Sequence, residues 1–197
     1  MKNVAFFRYS LFDYVSLALN ILLSKLLYPR SRLIRFPFYV RGFAQIEFGK
    51  NLTTGRFCRI DALCLSTVLP ELPVKKLVFG ENIQIGDRVH IAVAEKIIIG
   101  DHCLIASNVF ISDHDHGSTD LDSMLIPPSA RELITAPIQI GHSCWLGQNV
   151  CILKGVTLGE HCIVAAGAVV TRSFPAFSII GGVPAKILKS PQKMRPS

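Results

Sequence analysis

From Ile140 onward an aliphatic residue stands at every sixth position: Ile140, Leu146, Ile152, Leu158, Val164 and Val170. Two residues ahead of each is a second small or aliphatic residue, namely Ile138, Cys144, Val150, Val156, Cys162 and Ala168. A period of six is not helical. Alternate residues of a strand share a face, so each such pair points inward together while its neighbours face solvent. The residues between the pairs turn a corner. Three six-residue sides close a triangular coil of eighteen residues, and successive coils stack at strand spacing, about 4.8 Å. This predicts Ile140 over Leu158, Leu146 over Val164, and Ile152 over Val170. Each coil buries its apolar side chains only against its neighbours, so stability accumulates coil by coil.

The same rhythm recurs upstream. Phe48, Thr54 and Ile60 follow Ile46, Leu52 and Cys58. Phe79, Ile85 and Ile91 follow Leu77, Ile83 and Val89, and Ile99, Ile105 and Ile111 follow Ile97, Cys103 and Val109. The phase slips at 61–78, 92–98 and 112–137, and Pro70, Pro73, Pro127, Pro128 and Pro137 all lie in these slips. Insertions in a solenoid emerge as loops, so a loop is expected to protrude around 112–137. The expected fold class is an all-β solenoid with a short N-terminal helical segment. Three parts are expected: an N-terminal amphipathic segment over 1–45, the solenoid over 46–180, and a tail over 181–197. Gly141, Gly147 and Gly159 directly follow inward aliphatics, where glycine is expected to ease a tight corner.

Half of the 197 residues are apolar and charge is sparse, which excludes a disordered chain. The net charge of +7 suits an anionic partner: nucleic acid, acidic lipid headgroups, or the phosphates of a nucleotide cofactor. The six cysteines form no C-x-x-C pair, and no cleavable signal peptide is recognised ahead of them. They read as reduced thiols of a cytosolic protein. Cys58, Cys103, Cys144 and Cys162 occupy the small inward slot.

Two stretches carry a family resemblance. Ala136 to Lys189, APIQIGHSCWLGQNVCILKGVTLGEHCIVAAGAVVTRSFPAFSIIGGVPAKILK, resembles the C-terminal half of the maltose/galactoside O-acetyltransferase-like hexapeptide-repeat family. It is similar in particular to the bacterial enzymes that O-acetylate lipopolysaccharide and capsular sugars. Ile99 to Gly117, IGDHCLIASNVFISDHDHG, resembles the family's catalytic segment. The resemblance implies a left-handed parallel β-helix and a homotrimer with active sites between subunits. It implies acetyl-CoA as co-substrate, a sugar or glycan acceptor, no metal and no nucleic acid.

Acetyl transfer from a thioester needs a base for the hydroxyl proton and a grip on CoA. A neutral imidazole, with an ordinary pKa of about 6.5, suits the first task. His90, His102, His142 and His161 fall at outward positions and read as surface residues. His114 and His116 stand where the rhythm breaks. By resemblance the catalytic residue is His116, five places after Ile111, with His114 in reserve and Asp113 or Asp115 available to orient a ring. His-x-His is also a zinc-ligand pattern, but no third histidine is evidently placed to complete it.

Lys154 and Arg172 are eighteen apart and outward, so they are expected to stack into a basic patch that a CoA phosphate neutralises. By resemblance, Ala166, Thr171 and Arg172 line the CoA groove, with Gln148 near the pantetheine and Lys186 and Lys189 at the nucleotide end. Trp145, outward by phase, is expected to pack on a ligand or a neighbour. The family's polar sugar contacts near 90–95 are replaced here by residues such as Ala92 and Val93.

Leu11 to Tyr28 is apolar but interrupted by Asp13, Asn20 and Lys25, too polar for a comfortable membrane span. Arg30, Arg32, Arg35 and Arg41 follow. Two readings stand level: an amphipathic helix on the inner membrane surface, or a helix packed against the solenoid or a neighbouring subunit. The expected function is acetyl-CoA-dependent O-acetylation of a bacterial surface polysaccharide or its precursor, in the cytoplasm or at the inner face of its membrane. The alternatives are acetylation of an antibiotic or other xenobiotic, and a non-catalytic or zinc-dependent solenoid.

Overall fold

The computed structural model describes residues 10–63 and 74–189. The expected loop prolines Pro70 and Pro73, Cys64 and the end of the tail lie outside the described residues.

The chain winds as a three-sided parallel β-helix. Face A carries Leu33–Ile34, Thr53–Thr54, Gln84–Ile85, Leu104–Ile105, Trp145–Leu146, Ile163–Val164 and Ile179–Gly181. Face B carries Phe38–Arg41, Cys58–Ala62, His90–Val93, Phe110–Ser112, Cys151–Ile152 and Val169–Val170. Face C carries Ile46–Glu47, Leu77–Phe79, Ile97–Ile99, Ile138–Ile140 and Thr157–Leu158. Ile140 pairs with Leu158, Leu146 with Val164 and Ile152 with Val170, the stacking that the rhythm predicts. These side chains are at most 1% exposed. Cys58, Cys103, Cys144 and Cys162 are buried free thiols, each donating to a main-chain carbonyl such as Gly86 O or Gly159 O.

Three expectations need correction. First, the solenoid starts before residue 46. Leu33–Ile34 pairs with Thr53–Thr54, and Phe38–Arg41 pairs with Cys58–Asp61, so residues 33–45 build the first coil. Second, residues 181–189 are not a free tail. Lys186–Lys189 folds back antiparallel on Ile179–Gly181 and closes the edge of face A. Third, Gly141, Gly147 and Gly159 are not the residues of left-handed backbone; Ser143, Asn149 and His161, two places on, have φ of 56°, 59° and 56°. The glycines are required by contact between coils. A Cβ on Gly141 would stand 2.5 Å from Glu160 N, and one on Gly147 2.7 Å from Ala166 N.

Helix α1, Leu11–Leu27, opens with a capping box in which Ser10 and Asp13 bond each other's backbone N–H. It packs on the first coil through its polar residues. Asn20 Oδ1 accepts from Phe36 N at 2.8 Å and Ser24 Oγ from Ile34 N at 2.7 Å. The open end of a β-helix presents unpaired main-chain groups, and these two side chains occupy part of that edge. The apolar residues therefore face outward: Leu11, Phe12, Leu22 and Leu26 are 80, 78, 65 and 73% exposed. The expected packing on the solenoid is present, with the apolar surface left on the outside. No described helix is long and apolar enough to cross a membrane.

Candidate active site

The site grows from the place where the sixfold rhythm stops. After Phe110–Ser112 on face B the chain leaves the coil as a hairpin, His114–His116 against Leu133–Thr135. The excursion continues through a short helix α2, Leu121–Leu125, capped by the Asp120 side chain. Arg131 ties the far end together by donating to Ile126 O and Met124 O. This is the loop expected around 112–137, and it carries exposed Leu121, Met124 and Leu125.

Asp113 anchors the hairpin. Its side chain is fully buried. One carboxylate oxygen accepts from Ala94 N and the other from Glu95 N and Lys96 N, all at 2.8 Å. The main-chain carbonyl of Asp113 accepts from Ala136 N at 2.9 Å, which closes the base of the excursion. His114 Nδ1 lies 3.0 Å from Asp113 Oδ1, and the His114 side chain is only 10% exposed. A carboxylate at Nδ1 holds the proton there and leaves Nε2 as the acceptor. His116 is exposed, its ring edge-on to that of His114 at 6.5 Å. The orienting carboxylate anticipated from the sequence is thus Asp113, and it acts on His114.

Asp115 serves elsewhere. Its Oδ2 lies 2.9 Å from Lys154 Nζ. Arg172 instead sets its guanidinium over the Phe174 ring, 5.3 Å from the centroid. The expected Lys154–Arg172 patch is therefore divided, because each cation has found its own partner. Both cations do lie at one corner, but the excursion carries a carboxylate onto Lys154, a contact that spacing along the coil does not encode.

The remaining expected cofactor residues fall into two groups. Lys154, Thr171 and Arg172 follow the face B strands Cys151–Ile152 and Val169–Val170 and sit at the corner between B and C. The His114–His116 hairpin springs from that same corner. Trp145 projects from face A, 49% exposed, while exposed Gln148 and Ala166 stand at the corner between A and B. Lys186 pairs with Gly181 and Lys189 with Ile179 on the closing strand of face A. One coil does not bring the two groups into a common groove.

The other histidines lie outward as expected, and three of them have neighbours of note. His90 Nε2 is 3.1 Å from Asp61 Oδ2. His142, Glu160 and His161 bring ligand-type atoms within 4.8 Å of one another at the corner between C and A. Among the described residues, His114 and His116 belong to no such group of three. The sequence carries a signal for the second group alone: Glu160 and His161 stand eighteen and nineteen places after His142, whereas His90 and Asp61 are twenty-nine apart, across the slip at 61–78.

Residues 137–172 match the family model for the bacterial transferase hexapeptide, six repeats. A putative lipopolysaccharide biosynthesis O-acetyl transferase of Escherichia coli is 41% identical over 186 residues, covering 92% of this chain and 90% of that protein. The chain belongs to the hexapeptide-repeat acyltransferases. Galactoside O-acetyltransferase of Escherichia coli, a further member, is 32% identical over 56% of this chain and 55% of its own length. A hexapeptide-repeat-containing acetyltransferase from Vibrio cholerae, complexed with acetyl coenzyme A, superposes with a TM-score of 0.56. It is 28% identical, and the match covers 88% of this chain and 76% of that one. An N-acyltransferase from Bacillus cereus shares the fold at a TM-score of 0.67 and 19% identity, over 94% and 91% of the two chains. As a hexapeptide-repeat acyltransferase the chain is an enzyme, and its β-helix is left-handed, against the usual handedness of parallel crossovers.

Proposed function

We propose that this acyltransferase moves an acetyl group from acetyl-CoA to a sugar hydroxyl of a bacterial surface polysaccharide or its precursor, with His116 as general base. The relatives supply the reaction class: one is named for lipopolysaccharide biosynthesis, and the Vibrio cholerae structure holds acetyl-CoA. The observation that carries the reading is the hairpin itself, which Asp113 fixes at the corner of the coil with His114 against its carboxylate, His116 exposed, and Asp115 paired to Lys154. An imidazole nitrogen takes the hydroxyl proton as the oxygen attacks the thioester carbonyl. The tetrahedral intermediate then collapses, the C–S bond breaks, and the CoA thiolate leaves and is protonated. Such proton transfer contributes about 10²–10⁴-fold to the rate.

The Asp113–His114 contact favours a second reading, in which His114 is the base and His116 contacts the acceptor. Acetyl-CoA consumption dependent on a surface glycan, measured for His116→Ala and His114→Ala, separates the two. Loss of about 10²-fold or more in His116→Ala alone supports the first. Full activity in that variant removes His116 from the mechanism.

Two further elements belong to this proposal. The enzyme acts as a homotrimer, in which the excursion of one subunit, with its exposed Leu121, Met124 and Leu125, meets the corner between A and B of the next. That arrangement joins Trp145, Gln148, Ala166, Lys186 and Lys189 to Lys154, Thr171, Arg172 and His116 around one CoA. A monomer by light scattering would refute it. The outward apolar surface of α1, flanked by Arg30, Arg32 and Arg35, rests on the inner face of the cytoplasmic membrane. Co-flotation with vesicles containing anionic lipid tests this, and Leu22→Glu with Leu26→Glu should abolish it.

A further inference from the structure

A cluster on face B, outside the hairpin, has a geometry that the transfer chemistry leaves unused. Asp61 is 8% exposed in its side chain. Arg59 Nε lies 2.6 Å from one of its oxygens and Arg41 Nε 3.4 Å from the other, with His90 Nε2 at 3.1 Å. Both guanidiniums approach through Nε. Among the described residues, no hydrogen bond or ion pair occupies their Nη atoms. The Arg41 and Arg59 side chains are 66% and 50% exposed, so two forks of donors, that of Arg59 hydrogen-bonded to Asp61 and that of Arg41 ion-paired to it, are turned to solvent. They border an open cleft of about 670 Å³ lined by Phe38, Tyr39, Val40, Arg41, Arg59 and Asp61.

Two guanidiniums on one carboxylate leave an excess positive charge on adjacent strands. Like charges so placed destabilise a sheet unless an anion joins them. Guanidinium forks match phosphate oxygens two at a time, and a pre-set fork loses little freedom on binding. Burial pushes the Asp61 carboxyl up, but the hydrogen bonds from Arg59 and His90 and the charges of Arg59 and Arg41 hold it below the ordinary value. It therefore stays ionised as the anchor of both forks.

Arg41 pairs with Asp61, Asp61 with Ala92, and Ala92 with Ser112, a column in which Asp61, Ala92 and Ser112 are buried; beside it the more exposed Tyr39, Arg59, His90 and Phe110 run down face B toward the root of the hairpin. Three coil steps separate Arg41 from Ser112, roughly 14 Å at strand spacing. A diphosphate with a disaccharide on it is long enough to cover that span. At the other end, Arg41 belongs to the first coil, the one on which α1 packs.

We infer that Arg41 and Arg59, anchored by Asp61, form the subsite for the diphosphate of a glycosyl-diphosphate acceptor, with its sugar laid along face B toward His116. This deepens the proposed function and rests on it for the direction of the sugar. The diphosphate belongs either to a lipid-linked glycan or to a nucleotide sugar. Tyr39, 56% exposed beside the cleft, is placed to pack on the adjoining group.

Calorimetric titration of the full chain with farnesyl diphosphate, uridine diphosphate and inorganic phosphate tests the subsite. At least one diphosphate should bind tenfold or more tighter than inorganic phosphate, and inorganic pyrophosphate should displace it. The tighter of the two identifies the source, and either supports the subsite. Arg41→Ala, a largely exposed change, should weaken that diphosphate tenfold, and Arg41→Lys should restore part of the loss. Equal affinity for diphosphates and inorganic phosphate, or unchanged binding in Arg41→Ala, overturns the inference. Acetyl-CoA is titrated into the same samples: failure to bind it sinks the transferase reading and leaves the subsite standing, whereas loss of diphosphate selectivity with acetyl-CoA binding intact sinks the subsite alone.

Discussion

Replacing Asp113 by Asn tests whether one buried carboxylate holds both the hairpin and the imidazole. The change conserves shape but leaves a single acceptor oxygen. If that oxygen keeps Glu95 N and Lys96 N, the amide NH₂ must face Ala94 N–H and the protonated Nδ1 of His114. Two charge-assisted hydrogen bonds are then lost, at about 1.5–3 kcal/mol each, or about 3–6 kcal/mol together. For a chain of this length that lowers the melting midpoint by on the order of 10–20 °C. Asp115→Asn is the matched control, because its carboxylate is 54% exposed and bonds only Lys154 among the described residues. Its cost is at most about 1 kcal/mol. Scanning calorimetry of the two variants at equal protein concentration makes the comparison. Asp113→Asn should also disturb the His114 tautomer, so glycan acetylation should fall by more than the loss of folded protein. Midpoints within about 2 °C of each other would refute the anchoring argument, since that gap corresponds to under about 1 kcal/mol.

Other outcomes follow from the same geometry. Gly147→Ala drives a Cβ to 2.7 Å from Ala166 N and 2.8 Å from Val164 O in the next coil, so soluble yield and melting midpoint should drop sharply. An exposed substitution such as Gly167→Ala, which meets nothing within 4 Å, should lose far less despite its φ of 72°. The hydrogen bond with Cys103, with burial adding to it, pushes the Cys144 thiol up to about 11, so Cys144 should resist alkylation at pH 8 until the chain unfolds, as peptide mass spectrometry would report. Asp61 is held below the ordinary carboxylate value of about 3.9, so the stability it contributes is present above that pH and is lost as pH falls through its lowered value. Acid titration of Asp61→Asn should accordingly show a shallower loss of stability on the acid limb than the parent, and an identical limb would contradict the ion-pair network.

The interior was legible because a β-helix repeats one physical requirement at a fixed interval. Each inward pair must be apolar, and each coil presents the same slot to the next, so Ile140, Leu158 and their equivalents announce the fold without any tertiary knowledge. The first coil escaped the same reading although Ile34, Val40 and Ile46 are six apart. Val40 is only partly buried there, and the apolar run of α1 just upstream drew the segment into a helical part. The glycines were assigned the wrong task for a related reason: sequence shows that a small residue is needed but not whether φ or a neighbouring backbone requires it.

The candidate site was half legible, and the missing half is physical. Phase arithmetic locates residues on the coil, so it put Lys154 and Arg172 at one corner. It says nothing about a segment that leaves the coil and returns. The excursion from Asp113 to Ala136 is closed at its base by the bond from Ala136 N to Asp113 O and by a carboxylate that reaches back to the turn at Ala94–Lys96. That return carries Asp115 onto Lys154 and His114 onto Asp113, contacts between residues whose spacing follows no repeat. The interruption in the rhythm was therefore the informative signal: a solenoid that gives up regular coil stacking over some twenty residues places there the groups that its smooth faces cannot hold. Face B departs from the regular pattern in another way, for Asp61 keeps strand register at an outward position yet is buried beside two arginines.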